Sequence, residues 1–466
     1  MQSSNHVRAH RAENARHPVI VATFLLCVGS ALNCSTDAAA PSEPYGAIAN
    51  AAGGANTIVV SSAAELVAAL SPENAGRKIL VRAGSYGIAQ LLTVPDGVTL
   101  EGEGVMQFDG DGVPTGFASG TRTTVTMTAN TPGNLLTLGD RVTVRRLEIA
   151  DLPGRAGHVI AVVSRDAGDR VSATIAESEI HNPSPAAFYG LAVITNNLNL
   201  GADPPPHEGA TLTARMVRSV IRAPVAGGGV FAFNFAPRGR ISITLAGNAI
   251  GGGINANGGV SLPDAVHDAR VEIESHRNLY RDDRLDPCAS ARLGWNLTGG
   301  SGPPAPLSVA ETARNTLRVY SLDDRIEGFT RAILATGSRR FFPLPIAGPS
   351  TDNTLDLELV GGRISTPSCA GAPFVRDLDL AGAFAANDAL FPGDGNRLRA
   401  LVRGVTGSGP RFNQYANARG PSGSLPLALQ GSGNRLTVIG SPQAFARTNR
   451  AIDPAPGAEF FSSAGK

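Results

Sequence analysis

The chain has 466 residues, of which 55 are Gly and 32 are Pro, and only 17% are charged. Val, Ile, Leu and Thr are spread evenly from about residue 57 onward, which argues against helical domains and for one long body of short strands and turns. A formal charge of +1 excludes the strongly basic balance expected of a nucleic-acid binder.

Residues 1–34 read as an export signal. Arg8, Arg11 and Arg16 precede an apolar run from Val19 to Leu32 that is too short to span a bilayer comfortably. Two processing routes are open. Ala31-Leu32-Asn33-Cys34 resembles a bacterial lipobox with Cys34 as the lipidated residue, although the usual Leu three places before the Cys and the small residue just before it are missing. Ordinary cleavage near Ala31 would instead release the protein. Residues 35–56, rich in Ala, Ser and Pro, read as a flexible linker, and no later segment is long and apolar enough to span, so any membrane contact is expected through the lipid. The signal holds three Arg against Glu13, a net +2, and its removal leaves the mature chain near −1. Lys occurs only at Lys78 and Lys466, so the basic set is almost all Arg; such a set suits bidentate contact with carboxylates, or reflects codon preference alone.

The body is expected over residues 57–448, with 449–466 as a tail. Ser62-Ala63-Ala64-Glu65 fits a capping box, and Leu66, Val67 and Leu70 share one face behind it, which predicts a short helix covering the first layer of a stack. Next come Lys78-Ile79-Leu80-Val81-Arg82-Ala83-Gly84-Ser85-Tyr86 and Leu91-Leu92-Thr93-Val94-Pro95-Asp96-Gly97-Val98-Thr99-Leu100-Glu101-Gly102-Glu103-Gly104. A strand ending in Ala-Gly-x-Tyr, followed by Val-Pro-x-Gly-Val-x-Leu-x-Gly-x-Gly, resembles the first coils of the pectin-lyase-like superfamily. The resemblance implies a right-handed parallel β-helix and says nothing about activity.

The repeats argue for the same fold independently. Arg170-Val171-Ser172 leads ten residues on to Ile180, Thr211-Leu212-Thr213 to Ile221, Arg240-Ile241-Ser242 to Ile250, and Arg270-Val271-Glu272 to Tyr280. An earlier copy from Arg141 to Ile149 is two residues shorter, as if a corner were tighter. Later the unit becomes Asn-x-Leu, at Asn315, Asn353, Asn396 and Asn434, spaced 38, 43 and 38 residues apart. Short units at such periods mark a solenoid, and the recurring Asn predicts a side-chain amide ladder at one turn. Gly227-Gly228-Gly229 and Gly251-Gly252-Gly253 read as tight corners.

For chemistry, the signatures of pectate lyases and polygalacturonases are absent, and Asp203-Pro204-Pro205-Pro206-His207-Glu208 breaks the Asp-Pro-His-Glu spacing of alginate epimerases. The densest polar stretch runs from Arg270 to Asp286. There Asp282, Asp283 and Asp286 offer an acidic group, and Arg281 or Arg284 a clamp for a substrate carboxylate, as cleavage beside a uronate requires; Ca²⁺ would enter only in a lyase. The competing reading is a solvated strand and a charged turn whose Arg and Asp neutralise one another, so that Asp282→Asn or Asp283→Asn would shift stability by no more than about 0.5 kcal/mol. Trp295, the single Trp, stands nine residues beyond Asp286, and the histidines show no metal-ligand spacing.

Two functions therefore stay open: a rigid exported scaffold binding glycan or protein, and a polysaccharide lyase or glycoside hydrolase. Cys288 and Cys369 are expected to pair in an oxidising compartment. They stand two coils apart, roughly 10 Å if stacked directly, so the bond requires loops that fold along the rod. Mass spectrometry of the exported protein checks the signal. The expected chain begins at an acylated Cys34 or at a free terminus close to it, and an exported chain still starting at Met1 would overturn the reading.

Overall fold

The computed structural model describes residues 56–183, 188–195, 207–224, 228–261, 264–284, 286, 288, 292–301, 310–340, 349–369, 376–385, 393–407, 412–418, 433–440 and 460–463. The export segment with Cys34, the linker to residue 55, the run from Asp203 to Pro206 and most of the tail lie outside them. The described residues form a parallel β-helix with three long sheets, thirteen strands in sheet A and ten each in sheets B and C. One coil shows the path: Arg240–Ala246 in sheet A, Ala249–Gly251 in B, Ile254–Asn257 in C, then Arg270–His276 in A one layer on. Thirteen layers about 4.8 Å apart make a rod on the order of 58 Å long.

Helix α1 (Ala63–Ala69) closes the first layer, burying Leu66, Ala69 and Leu70. Ser62 Oγ accepts from the Glu65 amide at 3.2 Å, one arm of the expected capping box. The return arm reaches one residue further back, with Glu65 Oε2 accepting from the Ser61 amide at 2.7 Å.

The two forms of the repeat prove to be one unit. Val171, Leu212, Ile241, Val271, Leu317, Leu355, Leu398 and Leu436 stack in one inward column of sheet A. Ile149, Ile180, Ile221, Ile250, Tyr280, Ile326 and Ile364 do the same in sheet B. In the shorter early copy Val142 pairs with Ala173, so the two missing residues come off the start of the strand, while the corner after it keeps its length. Gly252 and Gly253 form a corner at positive φ, as expected. Gly228 and Gly229 do not: they open the strand Gly228–Asn234, where a side chain on Gly229 would stand 2.5 Å from Ile250 Cγ2.

Two ladders hold the corners. On entry to sheet A, the amides of Asn315, Asn353 and Asn396 donate to the Oδ1 of the next Asn along the rod at 3.1, 3.0 and 2.9 Å. Their own Nδ2 groups reach back to corner carbonyls, as Asn353 does to Thr312 O at 3.1 Å. Gly300 lacks a side chain because Asn353 occupies the space, with Cγ 2.4 Å from where a Cβ would be. The second ladder, between sheets A and B, is new: the amides of Ser178, Ser219, Asn248 and Asn278 donate in turn to Ser219 Oγ, Asn248 Oδ1, Asn278 Oδ1 and Asp324 Oδ1 at 2.8–3.1 Å.

Asp324 ends that ladder inside the rod. Burial raises its pKa, opposed by hydrogen bonds from Ser275, Ser321 and Asn278. The folded state therefore keeps a proton that the unfolded chain loses above the ordinary value of 3.8, and this group's contribution to stability falls as pH rises from there through the folded pKa. Asp324→Asn keeps the ladder acceptor and removes the titration. In urea unfolding it is expected to have a higher midpoint than the native chain at pH 7, with the gap narrowing toward pH 4; parallel midpoints across that range would contradict this.

Candidate functional site

The stretch Arg281–Asp286 leaves sheet B at the end of the strand Leu279–Arg281. Its charges are turned on one another. Asp282, whose side chain is fully buried, accepts from Arg284 Nη2 at 2.7 Å and from Arg292 Nη1 at 2.7 Å. Asp283 accepts from Arg281 Nε at 2.8 Å and from the Ala223 amide at 3.2 Å, two layers back. Gly251 lies in the layer between, and a Cβ there would strike Asp283 Oδ2. Asp286 is exposed and accepts from the Cys288 amide at 2.9 Å. Cys288 is bonded to Cys369 with their Cα atoms 5.6 Å apart, although two layers separate their sheet-B strands. The coil between crosses from sheet B to sheet C in residues 328–330, which leaves the loops on either side to meet over it.

Sheet B carries a second polar group that the sequence reading missed. Glu148 and Glu179 stand side by side on adjacent coils, pointing outward where later coils place Val220, Ala249 and Leu279. His181 Nε2 lies 3.3 Å from Glu148 and 3.2 Å from Glu179, and Arg222 Nε donates to Glu179 at 2.6 Å. Burial works against the Glu179 charge, but the hydrogen bonds and charges of His181 and Arg222 outweigh it and hold the pKa at about 2. A carboxylate pair around an imidazole is acid–base material. Here its open side is taken by a hairpin, Met106–Phe108 and Pro114–Phe117, that lies along the outside of sheet B. Arg222 Nη2 donates to Thr115 O at 2.6 Å, and the Phe117 amide donates to Glu179 at 3.3 Å. Met106 and Phe117 pack on Val220 and Ala249, Arg218 stacks on Phe108, and Asp111 at the tip pairs with Arg325 at 2.9 Å. The group fastens the hairpin across four layer steps, about 19 Å. The signal was present in Asp109-Gly110-Asp111-Gly112 between two short apolar runs.

From Ile160–Val163 to Arg331–Arg340 the outward rows of sheet C are also closed, apart from half-buried Asn255. Phe231 stacks on Tyr189 at 4.6 Å and on Phe233 at 4.0 Å, and Ala161, Ala192, Ile194, Asn296, Thr298 and Leu334 are buried. Tyr189 Oη accepts from Asn255 at 2.7 Å, and burial lifts its pKa to about 12. Trp295 points inward, fully buried, edge-on to Tyr280 at 5.1 Å, so it offers no face to a sugar ring.

The outer face of sheet A is different. Three consecutive strands present Arg170, Ser172 and Thr174; Thr211, Thr213 and Arg215; and Arg240, Ser242 and Thr244, all exposed or half-buried and in full register. These nine positions hold three Arg, six hydroxyls and no acid. No protein-family model matches the chain, and no curated protein matches it.

The geometry changes what the Asp282 substitution should do. Asp282→Asn removes the charge partner of Arg292, whose side chain is 8% exposed, and is expected to cost about 2–3 kcal/mol rather than the small change of a surface site. Asp286→Asn should stay within about 0.5 kcal/mol. Comparable urea midpoints for the two variants would show that the Asp282 pairs contribute nothing.

Proposed function

We propose that the chain is an exported scaffold of the pectin-lyase-like kind, a rigid rod that presents the outer face of sheet A to a glycan or protein. The resemblance to that superfamily is supported by the stretch that carries it, where Pro95-Asp96-Gly97 turns at a positive φ of 70° and leads into the sheet-A strand Thr99–Gly102. One observation carries the function: among the described residues the middle of sheet B lies under the hairpin, and sheet C from Ile160–Val163 to Arg331–Arg340 has its outward rows buried apart from half-buried Asn255, while sheet A keeps seven-residue strands open along the rod. Fold alone does not choose between scaffold and enzyme, so the reading rests on which surface is available and on how the carboxylates are used. Asp282 and Asp283 direct their oxygens to Arg284, Arg292, Arg281 and Ala223, which suits loop fixation better than turnover.

A glycan array probed with the mature protein tests this. Thr213→Trp, at the centre of the open face, is expected to abolish the signal, and Arg281→Gln with Asp286→Asn to leave it unchanged. The opposite pattern would move the function to the loop after sheet B and favour a polysaccharide lyase or glycoside hydrolase.

A further inference from the structure

Sheet A's outer face has a chemical pattern along the rod as well as being open. Its first outward column reads Arg170, Thr211, Arg240, Arg270, Thr316, Thr354, Arg397 and Arg435, in unbroken register over seven layer steps, about 34 Å. The column contains no acid. Arg170, Arg240, Arg397 and Arg435 are exposed and have no ion-pair partner among the described residues, and the same holds for half-buried Arg215 two columns across. The acids in the neighbouring column are already engaged: Glu272 accepts from Arg270 Nε at 2.8 Å, and Arg318 lies 3.8 Å from Glu272 and 3.5 Å from Asp356.

We infer that the partner of this face is a linear anionic polysaccharide lying along the rod axis, with Arg170, Arg215 and Arg240 gripping its acidic groups. The inference rests on the reading that sheet A is the presenting surface. A guanidinium fork matches a carboxylate or sulfate in two parallel hydrogen bonds, and these forks enter binding without first giving up a partner. Between them stand Ser172, Thr174, Thr211, Thr213, Ser242 and Thr244, hydroxyls that can donate to and accept from a sugar; Ser172 already donates to Asp140 at 2.8 Å and accepts from the Arg141 amide at 3.3 Å, which leaves it one lone pair. The layer spacing of about 4.8 Å is close to the length of one sugar unit, so a polymer parallel to the axis meets the same column at each layer. The backbone carrying the column is fixed by the sheet and its ladders, so little order has to be created on binding. A polynucleotide fits less well, because the mature chain is near −1 overall and Thr interrupts the Arg of the column at three of its eight layers, where a phosphate chain would demand a cation at every step.

The test titrates the mature protein with polygalacturonate, heparin, dextran and single-stranded DNA of matched charge. Polygalacturonate or heparin is expected to bind, more tightly as a long polymer than as a tetrasaccharide and more weakly as salt rises; dextran is expected not to bind. The double variant Arg170→Glu/Arg240→Glu, at exposed positions that leave the fold intact by urea midpoint, should weaken binding by at least about tenfold. Equal binding of dextran, DNA binding as tight as either polysaccharide, no polyanion binding, or an unchanged double variant would each overturn the inference. If Thr213→Trp abolishes the array signal while the charge reversal leaves it intact, the polyanion fails and the scaffold face stands. If neither changes it, both readings fall.

Discussion

Everything in this rod depends on satisfying backbone that turns inside a stack. Each coil must change direction between sheets, and the corner amides are covered by the coils above and below, where no water reaches them. The chain meets this with a two-residue corner repeated from sheet A to sheet B: one residue in the left-handed region, then one that in the four middle corners, at Ser219, Asn248, Asn278 and Asp324, has a side chain that accepts from the layer before. Arg146, Glu177, Arg218, Gly247, Arg277, Asp323, Gly361 and Gly404 hold the first position, with φ between 47° and 68°. Most are not glycine. At Arg218, Arg277 and Asp323 the left-handed strain is offset by the bonds the next residue accepts, and the ladder bonds also fix register, because a shift of one residue would put the ladder side chain on the wrong side of the strand.

The same corner determines which surface can be used. From Arg145 onward every described A–B corner is two residues long and carries no inserted loop; the one insertion at this edge, the 106–117 hairpin, enters earlier, between Thr99–Gly102 and Thr123–Met127, and lies over sheet B, leaving the outer face of sheet A without an overhang along the later corners. Sheet B pays for its position. From Glu148–Ala150 to Arg363–Ser365 its strands are three residues long, and the middle of its outer surface is taken by the 106–117 hairpin, held at one end by Glu179 and Arg222 and at the other by Asp111 and Arg325. Glu148 and Glu179 resemble catalytic carboxylates in burial and spacing, yet every described contact they make leads to neighbouring strands or to the hairpin. Context, not composition, separates a catalytic pair from a fastening.

How far this was legible in sequence depended on whether a feature repeats in one residue type. The Ile column of sheet B and the Asn at 315, 353, 396 and 434 recur as the same letter, so the coil register and one ladder could be read directly. The second ladder performs the same task with Ser219, Asn248, Asn278 and Asp324 as acceptors, and three residue types sharing one acceptor role make no visible motif. The surroundings of Trp295 and of the Arg281–Asp286 run were not legible for a related reason: a sequence shows which groups are near one another along the chain, but not whether an aromatic faces the core or a carboxylate is already paired across layers. The Asp282–Arg292 contact spans ten residues, and the Asp283–Ala223 contact sixty.

The near-exclusive use of Arg, ambiguous in composition, takes on meaning through position. Inside the loops and corners Arg serves as a structural donor, reaching several oxygens at once as Arg155 does toward Asp151, Thr131 and His158. A Lys could not span those acceptors from one planar head. Codon preference would place Arg without regard to pairing, and it would scatter acids among them. On the first column of sheet A acids are missing: Arg returns in register at four exposed layers with no ion-pair partner among the described residues and with Thr rather than Asp or Glu between, while one column over Glu272, Arg318 and Asp356 pair with one another or with Arg270. Two adjacent columns on one sheet, one with acids set among its Arg and one with none, differ by position, which composition alone does not specify.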